Sequence, residues 1–284
     1  MSDRAGLATA HKIRIAAVLY RTVAALRALG GAASDIVVCR RRGLTWRLDL
    51  SEGIDLSIYL FGRFERPVQR LIERHVRPGM TALDIGANVG AHALPMAVQV
   101  GPAGRVLAVE PTRWAYDRLV ENRRLNPRLE AVLTPIHASL GRPGSQPAEF
   151  YASWNLKEQS NVHQRHRGAL RPAEGAAPLT LDGLVADLKL ERLDFIKLDV
   201  DGAECEVLAG GRDTLAGLRP LILFEFSPYA LEERGCDATT LLGMLREHGY
   251  AFHDDRGGTS LEPSALVRRT PRYGSINVMA VPQA

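Results

Sequence analysis

A chain of 284 residues that is 46% hydrophobic can bury a large core unaided, which excludes a disordered or disulfide-scaffold protein. Lys plus Arg number 36 against 32 Asp plus Glu, a net charge of +4 with a pI near 9.1. The excess gathers at 39–43 and 163–171, clusters that could attract an anionic partner but read first as solvated basic surface; they do not establish nucleic-acid binding, and nucleic acid is not the expected partner. Cys39, Cys205 and Cys236 are odd in number, widely spaced and outside any CxxC pattern. Neither a disulfide framework nor a thiolate zinc site is expected, and a reducing cytoplasm fits.

The first predicted element is a helix. In "HKIRIAAVLYRTVAALRALGG", Ile15, Leu19, Val23 and Leu26 fall at helical spacing, with His11, Lys12, Arg14 and Arg21 for the polar side. Arg21 and Arg27 interrupt the apolar run, which excludes a signal peptide or a membrane span. Packing on the domain or on a second subunit, giving a homo-oligomer, is the favoured use of such a helix. Peripheral contact with an anionic membrane is the alternative.

Next, "DIVVCRRRGLTWRLDL" alternates like two strands around a turn at Arg42 and Gly43, and "IDLSIYLFGRFERPVQRLIERHV" carries helical periodicity. Residues 1–77 therefore read as an N-terminal α/β extension. From about residue 78, "TALDI", "RVLAVE", "AVLTPIHA", "LDFIKLD" and "LILFEF" alternate with helical stretches, the pattern of a parallel, Rossmann-like sheet with helices on both faces over 78–284. Between the third and fourth strands, 141–178 is rich in Gly, Pro, His and Arg and lacks periodicity, too long for an ordinary connection and placed like an insert or lid.

In "TALDIGANVGAHAL" a strand, a glycine turn and a helix start follow one another. A dinucleotide fingerprint needs GxGxxG, but Asn88 stands where the second glycine belongs and Asp84 would repel a diphosphate. S-adenosylmethionine has no phosphate and carries a sulfonium and an ammonium that an acid there would favour. Glu110, closing the next strand, is spaced to accept hydrogen bonds from both ribose hydroxyls. His92, one turn into the following helix, can line that pocket or simply pack.

If a methyl group from such a cofactor goes to a neutral alcohol, the transfer needs in-line placement and loss of a proton, to a base or with the help of a divalent cation. "KLDVDGAE" delivers Asp199, Asp201 and Glu204 to the carboxyl edge of the sheet, where ligands of open α/β sheets bind. One acid can serve as base, or Asp199 and Asp201 can hold Mg²⁺; a helix-capping role for Asp201 and Glu204 stands beside these. Glu225 in "LILFEF" faces the same edge, as an acceptor contact or as a buried structural acid. The insert offers Trp154 as a platform for a ring, and His163 and His166 as imidazoles near the acceptor, His163 as a second candidate base. Arg165 and Arg167, interleaved with the histidines, disfavour a zinc pair.

"LDIGANVGAHAL", "VLAVEPT", "LVENRRLN", "TLDGL" and "LDFIKLDVDGAECEVLAGG", in that order over about 78–226, closely resemble the FkbM-type methyltransferases. The resemblance implies a class I S-adenosylmethionine-dependent fold that O-methylates a hydroxyl on a sugar, polyketide or other small metabolite. It implies Asp84, Gly86, Asn88 and Gly90 at the methionine end of the cofactor, Glu110 at the ribose, and Ser139 near the adenine, where many methyltransferases have an acid instead. The expected function is O-methylation of a sugar, glycan or glycolipid. An RNA ribose methyltransferase and a non-catalytic cofactor-binding scaffold are the alternatives. Base N-methylation is disfavoured, since "LDVDG" stands where an Asn/Asp-Pro-Pro-aromatic motif would.

Overall fold

The computed structural model describes residues 9–146, 149–151, 154–157, 170–254 and 260–283. In chain order these form α1 (Thr9–Leu29), β1 (Ile36–Arg41), β2 (Leu44–Asp49), α2 (Gly53–Phe61), α3 (Arg66–His75), β3 (Thr81–Ile85), α4 (Ala93–Val100), β4 (Arg105–Glu110), α5 (Arg113–Arg124) and β5 (Leu133–Leu140). There follow β6 (Glu149–Tyr151), β7 (Leu170–Pro172), β8 (Ala177–Leu179), α6 (Leu181–Asp187), β9 (Phe195–Leu198), α7 (Glu204–Ala209), α8 (Arg212–Gly217), β10 (Leu221–Phe226), α9 (Pro228–Glu233), α10 (Ala238–Glu247), β11 (Tyr250–Asp254), α11 (Pro263–Arg269) and β12 (Ile276–Pro282).

Eight strands make one sheet in the order β11-β12-β10-β9-β3-β4-β5-β8. Every pairing from β10 to β8 is parallel, and β12 runs antiparallel to both of its neighbours. Helices cover both faces, so the fold is the Rossmann-like α/β sheet that the alternation of strands and helices predicts. Strand alternation divides the apolar residues between two cores. Ala82, Val106, Ala108, Phe195 and Leu223 face α4 and the N-terminal elements, while Leu83, Ile85, Leu107, Ile196, Leu198 and Phe224 face α6, α7 and α10. Trp46, Leu48, Ile58 and Ile72 of the N-terminal hairpin and helices belong to the first of these cores, so the extension packs directly on one face of the sheet.

Three details depart from the sequence expectations. The helical stretch after the hairpin is two helices: α2 ends at Gly62, whose φ of 71° is left-handed and whose N–H closes on the Ile58 carbonyl at 2.8 Å. The insert is not featureless, because β6 and β7 pair with each other and β8 extends the main sheet beside β5. Cys205 and Cys236 are joined in a disulfide with their Cα atoms 6.6 Å apart, while Cys39 is free. Spacing could not show that pair, because the packing of α7 against α10 brings together residues 31 apart.

Two motifs of the resemblance turn out to be fasteners. Asn122 of α5 and Asn126 just after it accept the backbone N–H of Arg47 and Thr45 at 2.8 and 2.9 Å, and their amides donate to Val89 O at 3.1 Å and Thr45 O at 2.7 Å. They pair with a strand edge and tie β2 to the glycine turn. Asp182 of "TLDGL" caps α8, accepting from the N–H and the hydroxyl of Thr214 at 2.8 and 2.6 Å. Among the described residues no helix is long and apolar enough to cross a membrane.

Candidate active site

The carboxyl ends of β3, β4, β9 and β10 open into one cleft. Its floor is Gly86, Ala87 and Asn88 after β3, Glu110 and Pro111 at the end of β4, Lys197, Asp199, Val200 and Asp201 of β9 and the loop after it, and Glu225 of β10. Its wall is Ile54, Phe64 and Glu65 of the extension, Ala91 and His92 before α4, and Trp154 of the insert. Trp154 is brought there by backbone pairing, since Gly53 N–H donates to Trp154 O at 2.9 Å and Leu156 N–H to Ser51 O at 2.7 Å.

Gly86 and Asn88 build the turn for different reasons. Gly86 has a φ of 81°, and a Cβ there would sit 1.8 Å from the Asp199 carbonyl, so only glycine lets β3 pass the end of β9. Asn88 takes a left-handed φ of 49° in place of the missing glycine. Its N–H donates to Glu110 Oε2 at 2.9 Å, and Glu110 Oε1 accepts from the Thr112 N–H and hydroxyl at 2.8 and 2.5 Å. A carboxylate offers about four lone-pair positions, so one position is left for a ribose hydroxyl. Burial raises the Glu110 pKa and the Thr112 and Asn88 hydrogen bonds oppose that rise.

Lys197 is the residue that reading the sequence passed over. It is the cross-strand partner of Asp84 and lies two positions before Asp199, so the three side chains share one face of the sheet. Its Nζ is 3.5 Å from Asp84 Oδ1 and 3.0 Å from Asp199 Oδ2. Burial alone would lower the Lys197 pKa, but Asp199 and Asp84 outweigh it and raise it, so the ammonium stays charged. A lysine inside a central parallel strand of otherwise apolar residues was the available signal, since such a charge is almost never buried unpaired.

Asp199, Asp201 and Glu225 have carboxylate oxygens within 4.8 Å of one another. Burial, Asp199 and Glu204 push Asp201 up to about 8. Burial and Asp199 raise Glu225 well above the carboxylate range, and its Oε1 accepts from the Ser275 hydroxyl at 2.5 Å. His92 is buried with no hydrogen-bond partner for either ring nitrogen, its Nε2 3.9 Å from Glu65 Oε2. Burial and then Lys197 hold its pKa well below the usual value, so the ring is neutral.

Several anticipated residues do not line the cleft. Asp84 is wholly buried below its floor, facing Lys197. Gly90 makes room for α4 and α5, since a Cβ there would meet Leu94 Cδ1 at 2.3 Å and Leu119 Cδ1 at 2.8 Å. Glu204 turns back into its own loop and accepts from the Val200 and Gly202 N–H groups at 3.2 and 3.4 Å. Burial pushes its pKa up to about 7. Ser139 sits on β5 beside Pro178 of β8. His163 and His166 lie outside the described residues.

The lining fits a cationic, phosphate-free nucleoside. Acids gather at one end, a ribose-spaced carboxylate stands at the other, and no lysine or arginine apart from the paired Lys197 faces the cleft among the described lining residues.

Residues 84–252 match the methyltransferase FkbM domain. The 2-O-methyltransferase NoeI of Sinorhizobium fredii is 27% identical over 216 residues, 73% of this chain and 86% of that protein. The hexuronic acid methyltransferase AglP of Haloferax volcanii is 25% identical over 165 residues, 57% of this chain and 62% of that protein. The solved structure of methyltransferase FkbM from Methylobacillus flagellatus aligns with a TM-score of 0.42 and 16% identity, covering 75% of this chain and 50% of that one. With more than half of its length inside the matching domain, the chain belongs to the FkbM family of methyltransferases and takes its methyl group from S-adenosylmethionine.

Proposed function

We propose that the protein transfers this methyl group to a hydroxyl oxygen of a sugar-type acceptor, free or carried on a glycan or glycolipid. The observation that carries the reading is the cluster of Asp199, Asp201 and Glu225 beside Lys197 at the cleft floor, opposite the aromatic Trp154. The names of the two relatives, a 2-O-methyltransferase and a hexuronic acid methyltransferase, support the acceptor class.

When bound, the cofactor supplies an electrophilic methyl on a sulfonium. Glu110 accepts from the ribose with its remaining lone pair, and the turn at Gly86 and Asn88 lets backbone approach the methionine portion. Asp84 and Gly90 act indirectly, through Lys197 and through helix packing, and Ser139 is kept as a candidate near the adenine. Asp199, 30% exposed at the cleft floor with its Oδ2 3.0 Å from the Lys197 ammonium, is the acid assigned to accept the hydroxyl proton. Glu204 shapes the loop that holds it. Trp154 presents a face for the sugar ring, and His163 and His166 stay as acceptor-side candidates.

A metal-free route is favoured because Lys197 already places a full positive charge 3.0 Å from Asp199. In the competing route Asp199 and Asp201, with Glu225, hold Mg²⁺. Cytoplasmic location rests on the supply of the soluble cofactor alone, since the Cys205–Cys236 bridge removes the support drawn from the cysteine pattern. We likewise treat 1–77 as a cap on a methyltransferase domain at 78–284, with 141–178 as its acceptor-side insert.

The test is transfer of labelled methyl from S-adenosylmethionine to a panel of neutral sugars, uronic acids and glycolipids, with and without EDTA. Alkali-stable label on a sugar hydroxyl that survives EDTA is the expected result. Label on RNA alone, or on nothing while the cofactor binds, would overturn the reading. Loss with EDTA and recovery with Mg²⁺ would select the metal route.

A further inference from the structure

The outward face of α1 lines no part of the cleft among the described lining residues and is rich in aliphatic side chains. Ile15, Val18, Leu26 and Leu29 are 49, 63, 64 and 86% exposed. At 3.6 residues per turn these four, with Thr22 and Ala25, fall in a single stripe about 100° wide. The opposite side of the same helix is already used: Tyr20 is buried, and Ala16, Leu19, Val23 and Ala24 pack on the core beneath it. The helix therefore has two apolar faces, and the fold covers one of them. An open row of large aliphatic side chains on one helix marks an interaction surface more often than it occurs by chance.

The charge around the stripe says what covers it. The helix contains Lys12, Arg14, Arg21 and Arg27 and no Asp or Glu. Arg14 and Arg21 are exposed along one edge of the stripe, where long cationic side chains can lie beside an apolar surface and put their heads at its polar boundary. A second copy seated there by two-fold symmetry would set this acid-free helix against itself, cation facing cation with no partner. An anionic phospholipid surface answers both features, taking the aliphatic stripe into the acyl boundary and the arginines among its phosphates. We propose that α1 is an interfacial helix that docks the enzyme on anionic phospholipid membranes.

The experiment is co-sedimentation of the full chain with phosphatidylglycerol-containing vesicles and with pure phosphatidylcholine vesicles. Measurements are repeated for Val18→Asp/Leu26→Asp and for Arg14→Glu/Arg21→Glu, all at exposed positions. S-adenosylmethionine binding serves as the check that each variant is folded. The expected result is binding to the anionic vesicles only, weakened by added salt and reduced at least about tenfold by either pair of substitutions, with cofactor affinity unchanged. No binding to anionic vesicles, equal binding to both kinds, or binding indifferent to the substitutions would overturn the proposal. So would a solution dimer that Val18→Asp/Leu26→Asp splits, because it would assign the stripe to a second copy.

Discussion

Lys197 Nζ lies 3.5 Å from Asp84 Oδ1, an ion pair with both side chains buried beneath the floor of the cleft. Burial raises the Asp84 pKa and the charge of Lys197 is the largest influence opposing that rise, so removal of the lysine strands a buried charge. Lys197→Met is expected to destabilise the fold by about 3–5 kcal/mol. Asp84→Asn/Lys197→Met should regain much of that loss, since the pair costs desolvation that neutral side chains avoid. Urea denaturation of the three proteins checks it; a loss that the double variant fails to relieve would mean that packing, not charge, sets the effect.

Glu110 serves the turn and the cofactor at once. Glu110→Ala is expected to weaken S-adenosylmethionine binding by about 1.5–3 kcal/mol, read by calorimetry. It should also lower the melting temperature, because the Asn88 and Thr112 N–H groups lose their acceptor. Unchanged affinity with a lowered melting temperature would leave Glu110 only its structural part.

Asp199→Asn is expected to bind the cofactor nearly as the parent does and to lower kcat at least about a hundredfold, the range for a lost general base. His92→Asn is the control, since a buried neutral ring between Phe64 and Glu65 should affect kcat less. The reverse ranking in single-turnover measurements would move the base from Asp199 to His92.

Stability should fall as the solution becomes alkaline. Asp201 and Glu204 have folded pKa values of about 8 and 7, with burial as the first cause in each. A group whose folded pKa lies above its unfolded value contributes stability that is complete below the unfolded pKa and is lost as pH rises through the folded one. The cofactor-free protein is therefore expected to melt higher at about pH 6 than at about pH 9. Glu204→Gln should flatten that dependence.

Reduction of the Cys205–Cys236 bridge opens a loop between residues 31 apart, which for a loop of that length costs about 2–4 kcal/mol. Melting with and without dithiothreitol measures it, and Cys205→Ala/Cys236→Ala should be indifferent to the reductant.

Much of the fold was legible because it rests on local periodicity. Five of the six parallel strands were marked by a short apolar run, β8 being hidden in the insert, and the hairpin was marked by alternation around Arg42 and Gly43. Asp84, Asn88 and Glu110 stand in fixed relation to a glycine turn, so their charge alone separated a sulfonium cofactor from a dinucleotide. What no spacing carried were the partners. Lys197 meets Asp84 because parallel register sets β9 beside β3, Glu110 spends three lone pairs on Asn88 and Thr112, and Glu204 turns inward to its own loop amides while Glu225 takes the place expected for it beside Asp199 and Asp201. Cys205 of α7 finds Cys236 in the loop before α10, and Phe64, Glu65 and Trp154 reach the cleft from segments that precede or interrupt the sheet. Hydrophobic period is a property of neighbours in sequence and determines elements. Which charges share a buried face, and which lone pairs are left for a ligand, depends on contacts between residues far apart in sequence, 113 positions in the case of Asp84 and Lys197, and only the folded chain decides them.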